Sequence, residues 1–423
     1  MQALYARGLG GEVHGPHRYA DGGLYHRRSA HPDAGPGLQI HRHGRLLHRL
    51  LPEHLLLRGP GGGDLPLCGQ QRSLQRHALC GLPRGRAGHP HGGLRAHYQE
   101  QKADCLERGI WEAFMRKAAG LTVIECKYCY NKWRVDCSGG TPVFTSELKE
   151  FQQPREVDLY HACGAYSAMG VPVEIHNVDY ENYSQYAPYA GVTRDYSDAV
   201  YSALSQGRAV LVAGGYCNYA PAILGGLQRA LGADRRIGVV WIDAHADCRV
   251  PETSPEPVRL VGVPLSTMAG LTLPVYRREV CGLETPCRGE DILASDLRMM
   301  DETTAENLCA ANIAPVDGSI FESEALWREK VSALAERVDA IYLSVDADIL
   351  KPDYVPAYEK RVPLGHDLDV VARNVQAVME TGKVGAYSLF CFDFDHYEQG
   401  GERTYASGKT LVTAGLERWS MIP

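Results

Sequence analysis

Two short segments of this 423-residue chain carry acidic and imidazole side chains at alternating positions. In DAHAD, Asp243, His245 and Asp247 are separated by the small residues Ala244 and Ala246. In DAD, Asp346 and Asp348 flank Ala347. Side chains of an extended segment alternate between faces, so residues at i, i+2 and i+4 project the same way. Four carboxylates and an imidazole on one rim repel strongly without a counter-charge. A pair of divalent cations supplies it, because carboxylate oxygen and imidazole nitrogen suit Mn²⁺, Zn²⁺ and related ions. A turn-and-cap cluster competes with this reading for either motif alone, since Asp is common where a strand hands over to a helix. It accounts poorly for both motifs together.

Each motif needs an element that aims it, and the sequence supplies one. Apolar runs at 209–213, 237–242, 340–345 and 385–392 end in GGYCN, DAHADCR, DADILKPDYVP and DFDHYE respectively. The first is followed by a helical stretch, PAILGGLQRALG, and LTVIECKYCY reads as the opening strand of the domain. Near-continuous apolar strands separated by helices predict an α/β fold, three-layer αβα with a mainly parallel, doubly wound sheet. In such sheets ligands sit beyond the carboxyl ends of the strands, where these polar residues gather. Cys126-x-x-Cys129, with Cys137 nearby, has no second CxxC at suitable spacing and is read as structural. No phosphate-binding or dinucleotide glycine fingerprint is present, since Gly225 and Gly226 fall inside the first helix and not before it.

The segments GGYCN (214–218), DAHAD (243–247) and SVDADILKPDYVP (344–356) resemble, in order and spacing, the three signatures of the ureohydrolase family of arginases, agmatinases and formimidoylglutamases. The resemblance runs from about Leu121 to Pro423. It implies an arginase-like αβα fold, often trimeric or hexameric, and two manganese ions bridged by a hydroxide that attacks a guanidine or amidine carbon. By the same resemblance Asp243 and Asp346 would bridge both metals, Asp247 would bind the first, and His245 and Asp348 the second. Asp247 is also a candidate catalytic residue.

Several positions depart from the family pattern. Cys217 stands where a metal-binding His is expected, with Tyr216 in place of an Asp. A thiolate there is a softer ligand that would admit Zn²⁺, Fe²⁺ or Ni²⁺ beside Mn²⁺; a small buried Cys is the alternative. Val261, in RLVGVPLS, stands where arginases carry a proton-shuttling His. Beyond the last core strand, Asp393 is the candidate catalytic and amidinium-binding acid, ahead of Asp395 and Glu398, with a helix-capping role as its alternative. Arg249 replaces an Asn that in arginases holds the substrate α-carboxylate, and a guanidinium grips a carboxylate bidentately. These departures favour an agmatinase-, hydroxyarginine- or formimidoylglutamate-type activity over that of a true arginase. The alternative from another class is a catalytically weakened homologue with a metal- or ligand-binding regulatory role.

Composition bounds the rest. A net charge of −7 disfavours nucleic acid as a partner, and no apolar run is long enough to span a membrane. Thirteen cysteines in so long a chain do not make a disulfide scaffold, which places the protein in a reducing cytoplasm. Residues 1–100 have a different texture: twelve of the 17 His, 19 of the 45 Gly, and no Lys, Phe, Trp or Asn. Such a segment buries too little apolar surface to offset its chain entropy. It reads as low-complexity sequence, either disordered or translated from G/C-rich DNA out of frame or from too early a start. Residues 101–120 read as a linker helix, and 121–423 as the hydrolase domain.

Overall fold

Seven short strands, most of them apolar and rich in Val, Ile and Leu, build the centre of the protein. In the computed structural model they are β1 (Leu121–Glu125), β2 (Val173–Asn177), β3 (Ala209–Ala213), β4 (Ile237–His245), β5 (Ile292–Met299), β6 (Ala340–Asp346) and β7 (Val384–Phe390). The structure describes residues 118–419 apart from 130–132, 146–147, 151–154, 359–361 and 393–399, together with His48–Arg49. All seven strands run parallel in the order β5-β4-β6-β7-β3-β1-β2. Every residue of β1, β3, β6 and β7 is buried, as expected for strands covered on both faces.

Helices complete the other two layers. Helix α1 (Pro188–Ser205) packs on α2 (Ala220–Leu231), while α3 (Glu324–Ala335), α4 (Leu368–Met379) and α5 (Gly401–Arg418) form a second group. The mid-helix pair Gly225 and Gly226 lets α2 approach closely. A Cβ on Gly225 would lie 2.0 Å from the Cys281 carbonyl oxygen, and one on Gly226 2.5 Å from that of Ser197. This is the three-layer αβα arrangement that the alternation of apolar runs and helical stretches implies.

Two strands, β2 and β5, were not anticipated from the sequence. Strand β2 is an edge strand with largely exposed side chains, so its VEIHN lacks an apolar run. Strand β5 is interrupted by left-handed backbone at Asp296 and Leu297, where its register with β4 shifts, which breaks the regular pattern of ILASDLRM. Of the expected linker helix, 101–117 lie outside the described residues, and 118–120 enter β1 without helix. The expectation for 1–100 likewise falls outside them, except that His48–Arg49 pairs antiparallel with Val143 and Phe144.

Candidate metal centre

The carboxyl ends of four adjacent strands, β4, β6, β7 and β3, meet at one rim. Strand β4 carries Asp243 and His245 within its extended backbone, so these two project alike, as alternation requires. Asp247 does not belong to that extended run. It lies beyond the strand with φ +45°, and reaches the site through a left-handed kink. Asp346 is the last residue of β6 and also caps the turn Ala347–Ile349, accepting a hydrogen bond from the Asp348 amide at 3.2 Å. The capping reading and the ligand reading thus describe the same residue: one carboxylate oxygen holds the turn.

The turn delivers Asp348 to β4. Its Oδ1 accepts from the Ala244 amide at 3.1 Å, and its Oδ2 lies 2.8 Å from His245 Nδ1. The Tyr358 hydroxyl donates to the same Oδ2 at 2.9 Å, and the Arg298 guanidinium donates to the Asp348 carbonyl. Asp243 Oδ1 accepts from the His245 amide at 2.6 Å. Asp243, His245 and Asp348 each present a ligand atom within 4.8 Å of the others.

A second group stands beside the first. Cys217 opens a short helical turn after β3, reached through Gly214 and Gly215, whose φ values of +82° and +84° suit glycine. Its thiol donates to the Val261 carbonyl at 3.6 Å. Cys217, Asp346 and Cys391 again present donor atoms within 4.8 Å of one another, and all three are buried. Cys391 was not read from the sequence, where the acids of DFDHYE drew the assignment two or more residues downstream. The signal was nonetheless available, because Cys391 immediately follows an apolar strand at the same rim.

Electrostatics show what the rim lacks on its own. Burial, followed by repulsion from neighbouring carboxylates, pushes the carboxyl groups of Asp243 and Asp346 well above the usual range. Asp247 is also raised, by burial first, against the opposing pull of His245 and Cys217. Asp348 goes the other way: burial would raise it, but the His245 contact and the Ala244 and Tyr358 hydrogen bonds outweigh that. His245 mirrors it, its burial outweighed by Asp348, so that its imidazole rises to about 9. Carboxylates this close, desolvated together, stay ionised only beside added positive charge. The donor set of oxygens, one imidazole and two thiols fits divalent cations, so the residues present fit a metal centre.

The remaining sequence candidates are placed less centrally. Arg249 is half exposed and pairs with Asp301 at 2.5 Å. Val261 meets the Cys217 thiol through its backbone carbonyl and packs against the core, partly buried. Asp393, Asp395 and Glu398 lie outside the described residues. Cys126 is a buried thiol in no disulfide that donates to the Tyr128 carbonyl, in line with a structural role.

Comparison with known proteins agrees with this fold. The family model described as "Arginase family" matches residues 140–409. The chain is 29% identical to an arginase of Bacillus caldovelox over 161 residues, 37% of this chain and 52% of that protein. It is 25% identical to an arginase of Coccidioides posadasii over 276 residues, 64% of this chain and 85% of that protein. A formimidoylglutamase of Salmonella arizonae is 28% identical over 217 residues, 51% of this chain and 64% of that protein. Among solved structures, an Entamoeba histolytica arginase in complex with L-ornithine superposes with a TM-score of 0.57 at 17% identity, covering 71% of this chain and 99% of that one. At that identity the structural likeness speaks for the fold alone.

Proposed function

Because the chain belongs to the arginase family, we propose that it is a binuclear metal-dependent hydrolase that cleaves a C–N bond of a small guanidine or amidine. The observation that carries this reading is the buried rim where Asp243, His245 and Asp348 converge beside Asp346. Asp243, His245, Asp348 and Asp346, with Asp247 and Cys217, are the residues that would hold two divalent ions, Mn²⁺ foremost. When bound, such ions supply a water acidified to near neutrality and positive charge opposite the developing tetrahedral centre.

The protein's own residues do the rest. Asp348 fixes the His245 ring through Nδ1, and the Tyr358 and Arg298 contacts fix Asp348 in turn. Asp247, placed beside Cys217 and His245, is the carboxylate proposed to relay a proton from the attacking water to the leaving nitrogen. Arg249 at the rim suits a carboxylate on the substrate once Asp301 shares or yields its guanidinium. Asp393 is assigned to the amidinium group. Without a shuttle His at Val261, an agmatinase-, hydroxyarginine- or formimidoylglutamate-type substrate is favoured over arginine. The assembly is proposed as a homo-oligomer, trimer or hexamer, in a reducing cytoplasm, a setting that suits nine described cysteines in no disulfide. Among the described residues no helix is long and apolar enough to cross a membrane.

Metal content with turnover tests the proposal. Two equivalents of divalent metal per chain, and loss of all hydrolysis in Asp243→Ala, are expected. Unaffected turnover in Asp243→Ala would refute the site. One equivalent or none, with no hydrolysis across a panel of guanidines and amidines, would leave the protein a binding homologue and not an enzyme.

A further inference from the structure

The order of strands along the rim sorts the candidate ligands by chemical hardness. At the β4 and β6 side stand Asp243, His245 and Asp348, oxygen and imidazole donors. At the β7 and β3 side stand Cys391 and Cys217, with Asp346 at the boundary between the two groups. We propose that the first metal position is a thiolate–carboxylate site formed by Cys217, Cys391 and Asp346, which takes a thiophilic divalent ion, Zn²⁺ above all. The harder group keeps the second position for Mn²⁺. The inference rests on the reading of this rim as a metal centre and adds Cys391 as a ligand.

Backbone geometry fixes the thiols in place. Strands β7 and β3 stay bonded beyond their paired residues: the Gly214 amide donates to the Leu389 carbonyl at 3.2 Å, and the Cys391 amide to the Gly215 carbonyl at 2.9 Å. On the other side, Asp346 is paired with Phe390, the residue just before Cys391. The end of β7 is therefore held between β3 and β6, and Cys391 lies between Cys217 and Asp346. Cys391 itself has φ +66°, a conformation that favours glycine. A glycine would relieve the backbone but bring no thiol to the rim.

The chemistry of the donors follows. Two thiols and a carboxylate select zinc or another soft ion over manganese, which prefers oxygen. With these three ligands a fourth tetrahedral position remains for Asp247, which bonds to Cys217, or for water or substrate. Each thiol that ligates releases its proton to solvent on binding, so charge balances as M²⁺ replaces two H⁺. The plain alternative is that both cysteines pack as small apolar side chains and touch no ion.

X-ray absorption at the zinc edge of the intact full chain, loaded with one equivalent of Zn²⁺ under reducing conditions, decides between these. The expected result is two sulfur neighbours at about 2.3 Å, with nitrogen or oxygen completing the shell. One sulfur would overturn the assignment of Cys391, and none would overturn the thiolate site altogether. Co²⁺ in place of Zn²⁺ gives a second readout. A sulfur-to-cobalt charge-transfer band should weaken in Cys217→Ser and in Cys391→Ser and vanish in the double variant. Zinc affinity in Cys391→Ser should fall by more than the roughly 10–100-fold that a contact outside the coordination sphere is worth. A smaller fall would contradict direct ligation. The parent reading fails separately, if the unmodified chain retains neither Zn²⁺ nor Mn²⁺; Mn²⁺ bound without zinc–sulfur scattering would defeat the thiolate site alone.

Discussion

Tyr358 offers a graded test of how the centre is organised. Its hydroxyl donates at 2.9 Å to Asp348 Oδ2, the oxygen that also faces His245 Nδ1 at 2.8 Å. Tyr358→Phe removes this one hydrogen bond and leaves the ring. A hydrogen bond to a charged group is worth about 1.5–3 kcal/mol. Partners that orient a metal ligand typically account for roughly 10–100-fold in affinity, about 1.4–2.8 kcal/mol, so the two ranges agree. The His245 and Ala244 contacts remain to hold Asp348, which places the expected loss nearer tenfold than a hundredfold. Calorimetric titration of metal-stripped protein with Mn²⁺ measures the change directly, and the circular dichroism of the metal-free variant should be unaltered. An affinity within about twofold of the unmodified protein would refute the claim that Tyr358 positions Asp348 for binding.

Other perturbations probe the scaffold and the rim. His366 is buried between Asp296 and Glu322; burial alone would lower its pKa, but the two carboxylates outweigh it and raise it. Its protonated form therefore contributes stability that is complete below the unfolded value of about 6.5 and is lost as pH rises through the folded pKa. His366→Gln should cost about 1–3 kcal/mol in urea unfolding at pH 5.5 and distinctly less at pH 9, and equal costs at both would contradict this pairing. Gly225→Ala places a Cβ 2.0 Å from the Cys281 carbonyl oxygen. Despite the better helix propensity of Ala, it should destabilise by about 1–3 kcal/mol, read as a lowered melting temperature, while metal content stays unchanged. Arg249→Ala should lower kcat/KM roughly tenfold or more for substrates that bear a carboxylate, and leave those without one nearly unaffected. Equal losses for both substrate classes would remove Arg249 from substrate recognition.

Much of the fold was legible because burial on both faces of a parallel sheet leaves an apolar signature. AVLVA, IGVVWI, AIYLSV and GAYSLF could be read as strands without tertiary information, and the polar residues ending each one located the rim. VEIHN at the sheet edge left no such trace, since its side chains are largely exposed. Within the site, period-two spacing gave Asp243 with His245, both on extended backbone. It placed Asp247 on the same extended run, whereas that residue arrives through positive φ, which spacing does not encode. Cys391 marks the end of an apolar strand in the sequence, but its proximity to Cys217 and Asp346 comes from two neighbouring strands, β3 and β6, that are distant in sequence. Tyr358 and Arg298 escaped for a similar reason. Each is identified only by its bond to Asp348, across 10 and 50 residues of chain respectively.

The buried rim around Asp243, His245, Asp346 and Asp348 is proposed to make this chain a metal-dependent hydrolase of guanidine or amidine C–N bonds. Release of urea, formamide or ammonia from a panel of such substrates, followed before metal removal, after it and after metal is restored, tests that claim most directly. Turnover of at least one substrate that disappears with the metal and returns with it is the expected result. Turnover that persists in the metal-free protein, or its absence for every substrate with both metal positions filled, would contradict it.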